Sequence, residues 1–128
     1  KLVCGGDRDG AFISPTILDA VTPEMKVVCQ EIFGPVLTVL TYEDLDQAID
    51  QSNDTPYGLQ SAIFTTNLNT AMYAVKRLET GGVVINDAST FRVDLMPYGG
   101  IKASGIGKEG PRYSIEQMTE MKMVVINL

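Results

Sequence analysis

The sequence has no histidine and no tryptophan among its 128 residues, and only two cysteines, Cys4 and Cys29. Without histidine, the chain itself cannot supply a Ser–His or Cys–His nucleophile pair or a histidine metal site. Two cysteines are too few for a disulfide framework and indicate reduced thiols, as in a cytosolic protein. We therefore expect no metal site and a cytoplasmic location.

Positive charge and long apolar runs are also scarce. Ten Lys and Arg residues face sixteen Asp and Glu residues, giving a net charge of −6. Scattered positive residues in an acidic chain argue against binding to nucleic acid or to an anionic membrane. No apolar run approaches the roughly 20 residues that a membrane span needs. The remaining composition is ordinary, so we expect one domain over residues 1–128 with a real core.

The first half of the chain predicts short strands and one helix. Residues 1–10 contain three glycines and mixed charges, which is typical of a loop. A proline interrupts the apolar segment Phe12–Leu18, so we expect an edge strand at best. Val36–Leu40 is an apolar, β-branched strand. A helix over about 43–52 follows, with Thr41 as its N-cap.

The second half predicts a similar alternation around a long loop. Leu68, Ala71 and Met72 should lie on the apolar face of a helix, and Gly81 suits the residue just after its end. Residues 86–111 are rich in glycine and lack periodicity, and a loop of that length is usually functional. The predicted elements are strands at 61–65, 83–85 and 121–128 and helices at about 67–80 and 111–119.

Strands that alternate with helices predict an α/β fold, a mostly parallel sheet with flanking helices. Residues 105–110 match the spacing of the dinucleotide fingerprint G-x-G-x-x-G. The fingerprint requires a strand before it, a helix opening within it and an acidic residue about 20 positions later. Here a glycine loop precedes it and too few residues follow, so we do not assign a dinucleotide site to this segment.

Five blocks occur in an order and at separations that resemble a known family. Two of them are distinctive, the Glu-Ile-Phe-Gly-Pro-Val segment at 31–36 and the glycine-rich segment at 96–110. The other three lie at 12–18, 53–59 and 82–86. Together they resemble the C-terminal part of the catalytic domain of NAD(P)-dependent aldehyde dehydrogenases. The resemblance covers nearly the whole chain and implies a partial catalytic domain.

The resemblance also implies an activity for the intact protein. In this family a catalytic cysteine attacks a small aldehyde, hydride passes to NAD or NADP, and water releases the carboxylic acid. That cysteine lies upstream of the Glu-Ile-Phe-Gly-Pro motif, further away than this chain reaches. Cys4 and Cys29 lie too close to the motif, so we assign neither as the nucleophile and expect small structural thiols.

Two cofactor contacts are implied by the resemblance. Glu31 would accept hydrogen bonds from the ribose hydroxyls of the nicotinamide nucleotide, as an acceptor-only carboxylate can. Phe33 would pack against the nicotinamide end of the cofactor. The alternatives are a solvated loop glutamate and a core aromatic.

Four further residues correspond to positions near the aldehyde. Glu109 matches a buried family glutamate on the proton path of the deacylating water, although alone it could cap a helix or face solvent. Tyr98 and Phe91 would line the aldehyde tunnel. Arg92 would bind an anionic substrate group through two parallel hydrogen bonds, or simply pair with Asp94 at the surface.

Residues 120–128 resemble the family's terminal strand, which pairs across subunits, and we therefore expect a homo-oligomer, a dimer or tetramer. Two other interpretations remain open. The chain could come from a CoA-acylating semialdehyde dehydrogenase, or it could be a non-catalytic binding or assembly module that retains the fold.

The chain by itself should have no dehydrogenase activity, because it lacks a suitably placed thiolate and only the thiolate is the nucleophile. Purified chain assayed with NAD+, NADP+ and several aldehydes should show no turnover. Turnover that Cys4→Ser or Cys29→Ser abolishes would contradict this expectation.

Overall fold

The computed structural model describes all 128 residues and divides them into two compact units, residues 1–52 and 53–128. The sequence predicted no such boundary. The strands are β1 Leu2–Cys4, β2 Arg8–Asp9, β3 Phe12–Ile13, β4 Thr16–Leu18, β5 Val36–Thr38, β6 Gln60–Ile63 and β7 Gly82–Ile85. The helices are α1 Lys26–Cys29, α2 Leu45–Asn53, α3 Leu68–Arg77 and α4 Pro111–Met118.

The first unit is built on a three-stranded sheet in the order β1-β4-β5. Strand β4 is antiparallel to β1 and parallel to β5, so it is the central strand. The expectation of an edge strand was wrong. Pro15 lies one residue before β4, and the ladder starts at Thr16, whose N–H donates to Pro35 O at 2.8 Å. The missing proline N–H therefore removes no bond from the sheet.

Residues 1–10 also contain more regular structure than their glycines predicted. They hold β1 and β2, and β2 pairs with β3 as a hairpin in which Asp9 lies opposite Phe12. The first of the two connecting residues, Gly10, has φ +59. A positive φ at this position is what a tight two-residue hairpin needs and what glycine adopts without strain. Gly10 therefore forms part of the turn between β2 and β3.

Helix α2 was predicted within two residues, but its cap was not. Asp44 Oδ1 accepts from the N–H of Gln47 at 2.8 Å, and Gln47 Oε1 accepts from the N–H of Glu43 at 2.6 Å. These bonds form a variant of the capping box around Asp44, in which the Gln47 side chain accepts from the residue before the cap and not from the cap itself. The prediction of Thr41 as N-cap was wrong by three residues, because Asp44 is the residue that directly precedes the first helical turn.

In the second unit, β6, α3 and β7 form the predicted parallel βαβ unit. The two strands pair in register over four residues, from Gln60 with Gly82 to Ile63 with Ile85. Helix α3 begins after Asn67, whose side chain accepts from the N–H of Thr70. Helix α4 begins with Pro111 at its first turn, as predicted. The α/β class and the parallel pairing across helices are confirmed.

The buried face of α3 differs from the predicted one. Ala71 and Ala74 are buried, whereas Leu68 and Met72 remain exposed. The helix caps at Leu78, whose N–H donates to Ala74 O, so Gly81 is not the residue after its end. The helical face that is buried here is narrow and lined by small residues, which permits close approach of the backbone.

Gly81 serves a different purpose, close packing of main chain against main chain. A Cβ built at Gly81 would overlap the carbonyl oxygen of Gly99. The same oxygen accepts a hydrogen bond from Lys108 Nζ at 2.6 Å. Glycine at position 81 thus lets the long loop lie directly on the start of β7.

The expected large core is not formed within this chain. The buried apolar side chains are Ile49, Ala71 and Ala74. The accessible surface is 10023 Å², whereas a compact 13.9 kDa protein would expose about 6,700 Å². The prediction from chain length was therefore wrong, because the apolar faces of these elements find few partners among the 128 residues. Helices long and apolar enough to cross a membrane are absent from the structure.

Residues 119–128 have no regular secondary structure and are exposed throughout. The predicted strand at 121–128 is not formed within this chain, because a strand requires a paired neighbour and none is present. Its pairing with another subunit stays a prediction.

Gly81→Ala should lower the free energy of unfolding of the chain by at least about 2 kcal/mol, the upper range for overpacking. Gly34→Ala is the control, because a Cβ there meets only Ile32 Cγ2, at 3.8 Å. Urea unfolding of both variants measures the difference. Equal midpoints for the two would show that the main-chain contact at Gly81 is not tight.

Candidate functional site

The long loop of the second unit is attached to the turn at 53–58 by main-chain contacts. Gly58 is buried, and its carbonyl accepts from the N–H groups of Gly81 at 3.0 Å and Ile101 at 2.9 Å. Its own N–H donates to Ser104 Oγ at 2.9 Å. One residue thus joins the beginning of β7 to the loop at two points, and the loop position depends on it.

Lys102 forms a second attachment of the same loop. Its Nζ lies 2.7 Å from Glu79 Oε2 and donates to Asn53 O at 2.8 Å and Thr55 O at 3.4 Å. The Lys102 backbone has φ +53, unusual for a residue with a side chain. Because Lys102 is held by both charge and carbonyls, it fixes the turn at residues 102–104.

Asn53, the last residue of α2, forms hydrogen bonds with the main chain at the end of α3. Its side-chain amide donates to Arg77 O at 2.9 Å, and its Oδ1 accepts from the N–H of Glu79 at 2.8 Å. Asn53 is the first residue of the block at 53–59, but no role was predicted for it, for Lys102 or for Ser104. A turn motif signals Asn53, whereas no local pattern predicts the long-range bonds of Lys102 and Ser104.

Three of the predicted substrate-side residues converge at one end of this loop. Arg92 Nη2 donates to Glu109 Oε2 at 3.0 Å, and the Arg92 guanidinium lies 4.3 Å from the centre of the Tyr98 ring. Tyr98 and Glu109 are joined by two backbone hydrogen bonds, of 3.1 Å and 2.6 Å. We call Arg92, Tyr98 and Glu109 the arginine cluster.

The arginine cluster corrects the expected surface pairing. Arg92 pairs with Glu109, which lies 17 residues away, and not with Asp94. The side chains of Arg92 and Glu109 are 41% and 66% exposed in this chain. An exposed ion pair contributes about 0.2–1 kcal/mol, and an exposed cation–π contact about 0.5–1 kcal/mol. These contacts are therefore too weak to determine the fold, but they do orient the guanidinium.

Phe91 is half exposed, and its N–H donates to Ala88 O at 3.0 Å in a turn. Its predicted role in lining the aldehyde tunnel stays a prediction.

The two predicted cofactor residues lie in the first unit, in an irregular segment between α1 and β5. Glu31 is exposed, and the structure records no hydrogen bond or ion pair for its carboxylate. Phe33 is 94% exposed. An available acceptor-only carboxylate and an uncovered ring fit contacts to a ribose diol and a flat aromatic group.

The remaining reactive or charged groups lie outside these positions. Cys4 and Cys29 are free, exposed thiols. A hydrogen bond from the Thr22 side chain lowers the pKa of the exposed Glu24 carboxyl. The hydrogen bond between Arg112 and Glu116 on α4 raises the pKa of Arg112. Neither pKa shift belongs to a residue of the arginine cluster.

Comparison with known proteins agrees with this fold and these motifs. Residues 1–124 match the model of the aldehyde dehydrogenase family. The chain belongs to the aldehyde dehydrogenase family. It is 53% identical over 128 residues to the 3-sulfolactaldehyde dehydrogenase of Priestia aryabhattai, and the match covers all of this chain and 27% of that protein. The chain therefore spans about a quarter of the length of this relative.

Two solved structures resemble the chain closely. Aldehyde dehydrogenase 21 from Physcomitrella patens, in complex with the reaction product succinate, has a TM-score of 0.94 and 48% identity. Glyceraldehyde-3-phosphate dehydrogenase from Methanocaldococcus jannaschii, complexed with NADP, has a TM-score of 0.92 and 45% identity. Each match covers 98% of this chain, and 26% and 27% of the respective structures.

Proposed function

We propose that the intact protein oxidises small aldehydes to carboxylic acids with NAD+ or NADP+. Family membership supports the reaction, and the cysteine nucleophile and the nucleotide-binding domain would lie outside this chain. The nicotinamide nucleotide would supply the hydride acceptor. In this chain, Glu31 would hold the ribose hydroxyls and Phe33 would pack at the nicotinamide end.

We further propose that the substrate carries an anionic group. The observation that carries this proposal is the oriented guanidinium of Arg92, which uses one donor for Glu109 and is 41% exposed. A guanidinium has five N–H donors, so a pair of them remains available for a carboxylate, sulfonate or phosphate. Three of the similar proteins are named for, or hold, an anionic compound, namely sulfolactaldehyde, succinate and glyceraldehyde-3-phosphate, whereas other relatives are named for lactaldehyde, which is uncharged.

The other residues predicted to lie near the aldehyde would have separate roles. Tyr98 and Phe91 would line the aldehyde tunnel, and Glu109 would take part in the proton path of the deacylating water. Residues 120–128 would pair with another subunit in a cytoplasmic homo-oligomer. Their exposed apolar side chains support this pairing, because an unpaired apolar segment needs a partner. Product analysis separates this reaction from CoA acylation, since it yields the free acid without coenzyme A.

Arg92→Ala in the intact enzyme should cost roughly 2–5 kcal/mol of transition-state binding for an anionic aldehyde, as truncation of one partner of a buried charge pair does. A neutral aldehyde of similar size should lose far less. Values of kcat/KM for succinic semialdehyde and butanal measure the difference. Equal losses on both substrates, or none, would contradict the proposed anionic substrate.

Glu31→Gln should raise the KM for the nicotinamide nucleotide and lower turnover without changing the thermal midpoint. The amide retains one acceptor but loses the charge, and charge-assisted hydrogen bonds are roughly twice as strong as neutral ones. Steady-state kinetics at varied NAD+ and NADP+ test this. Unchanged kinetics would remove Glu31 from the cofactor site.

A further inference from the structure

We propose that Glu109 is a positioning residue for Arg92 and thereby determines the preference for anionic aldehydes. This inference rests on the proposed function and gives Glu109 a positioning role in addition to the proposed proton path. The Glu109 carboxylate accepts a hydrogen bond from Arg92 Nη2 at 3.0 Å. The structure records no other hydrogen bond for this carboxylate.

The main chain of Glu109 is well placed to orient another residue. Two backbone hydrogen bonds join it to Tyr98, whose ring faces the guanidinium. The next residue, Gly110, has φ +118, and a Cβ there would lie 3.0 Å from Met96 O. Tight packing on both sides of Glu109 thus limits its movement even though its carboxylate is exposed.

Arg92, in contrast, lies in an irregular part of the loop. The neighbouring turn is closed by the N–H of Met96, which donates to Val93 O at 3.1 Å. A long arginine side chain on such a segment has many rotamers, and ordering it upon substrate binding costs free energy. Glu109 contacts one edge of the guanidinium and the Tyr98 ring contacts one face. These two contacts restrict the Arg92 rotamers before a substrate binds. The guanidinium edges away from Glu109 remain available for a substrate anion.

The two roles of Glu109 predict different kinetics. A positioning residue acts only on substrates that Arg92 binds, and mainly on KM. A proton-path residue acts on the shared deacylation step, and therefore on kcat for every aldehyde. The ratio of kcat/KM values for an anionic and a neutral substrate separates the two roles.

The experiment uses the intact enzyme with succinic semialdehyde and butanal. Glu109→Ala should lower kcat/KM for succinic semialdehyde roughly tenfold, mainly through KM, within the up to hundredfold cost of misplacing a positioning group. The ratio of kcat/KM for succinic semialdehyde to kcat/KM for butanal should therefore fall roughly tenfold, whereas a fall in kcat that both aldehydes share belongs to the proposed proton path. Glu109→Gln retains an acceptor oxygen and should show a smaller loss in the same direction, and it also serves if Glu109→Ala fails to fold.

Two controls complete the design. Glu116→Ala removes a matched exposed ion pair, in which Arg112 Nε lies 2.8 Å from Glu116 Oε1. This variant should leave kcat/KM unchanged for both aldehydes. The double variant Arg92→Ala/Glu109→Ala should lose no more of the preference for succinic semialdehyde over butanal than Arg92→Ala alone, because both changes remove one interaction. An unchanged preference in Glu109→Ala, or additive losses of preference in the double variant, would overturn the positioning role. If Arg92→Ala itself leaves the preference unchanged, the proposed anionic substrate fails; a preference that depends on Arg92 but not on Glu109 defeats only the present inference.

Discussion

The second unit depends on how closely its main chains approach one another at glycines. Gly58 bonds to Gly81, Ile101 and Ser104, and Gly81 has room for no Cβ beside Gly99. These contacts place a long irregular loop on the βαβ unit without an apolar core beneath it. Lys102 and Asn53 then satisfy the carbonyls and N–H groups at the edges. The arginine cluster can be weak in energy because the loop that carries it is positioned by other contacts.

The large exposed surface has a physical explanation in the length of the relatives. The chain spans about a quarter of them, and its strands and helices have apolar side chains with few partners inside this segment. Unpartnered apolar surface on this scale is rare in soluble monomers. Phe33, Glu109 and residues 119–128 form part of this exposed surface.

The sequence predicted the α/β class, a mostly parallel sheet and helices α2, α3 and α4, because hydrophobic periodicity and a proline at a helix start are local signals. It did not predict the central position of β4. Pro15 would exclude a central strand only if it lay within the paired residues, and it lies just before them. The resemblance selected Arg92, Tyr98 and Glu109, but not their convergence. The ion pair joins residues 17 positions apart in a loop without periodicity, and only a fold determines such a contact. Arg92 was therefore assigned the wrong carboxylate, the one nearest in sequence.

The bonding of Gly58 affects how this part of the protein opens. Its carbonyl holds two amides, those of Gly81 and Ile101, and its own amide is held by Ser104. Local openings that break one of these bonds disturb the others, so these amides belong to one cooperative unit for exchange with solvent. The loop with the arginine cluster would then leave and return as a whole. The arginine cluster would then be either fully assembled or absent, with no partly formed state between.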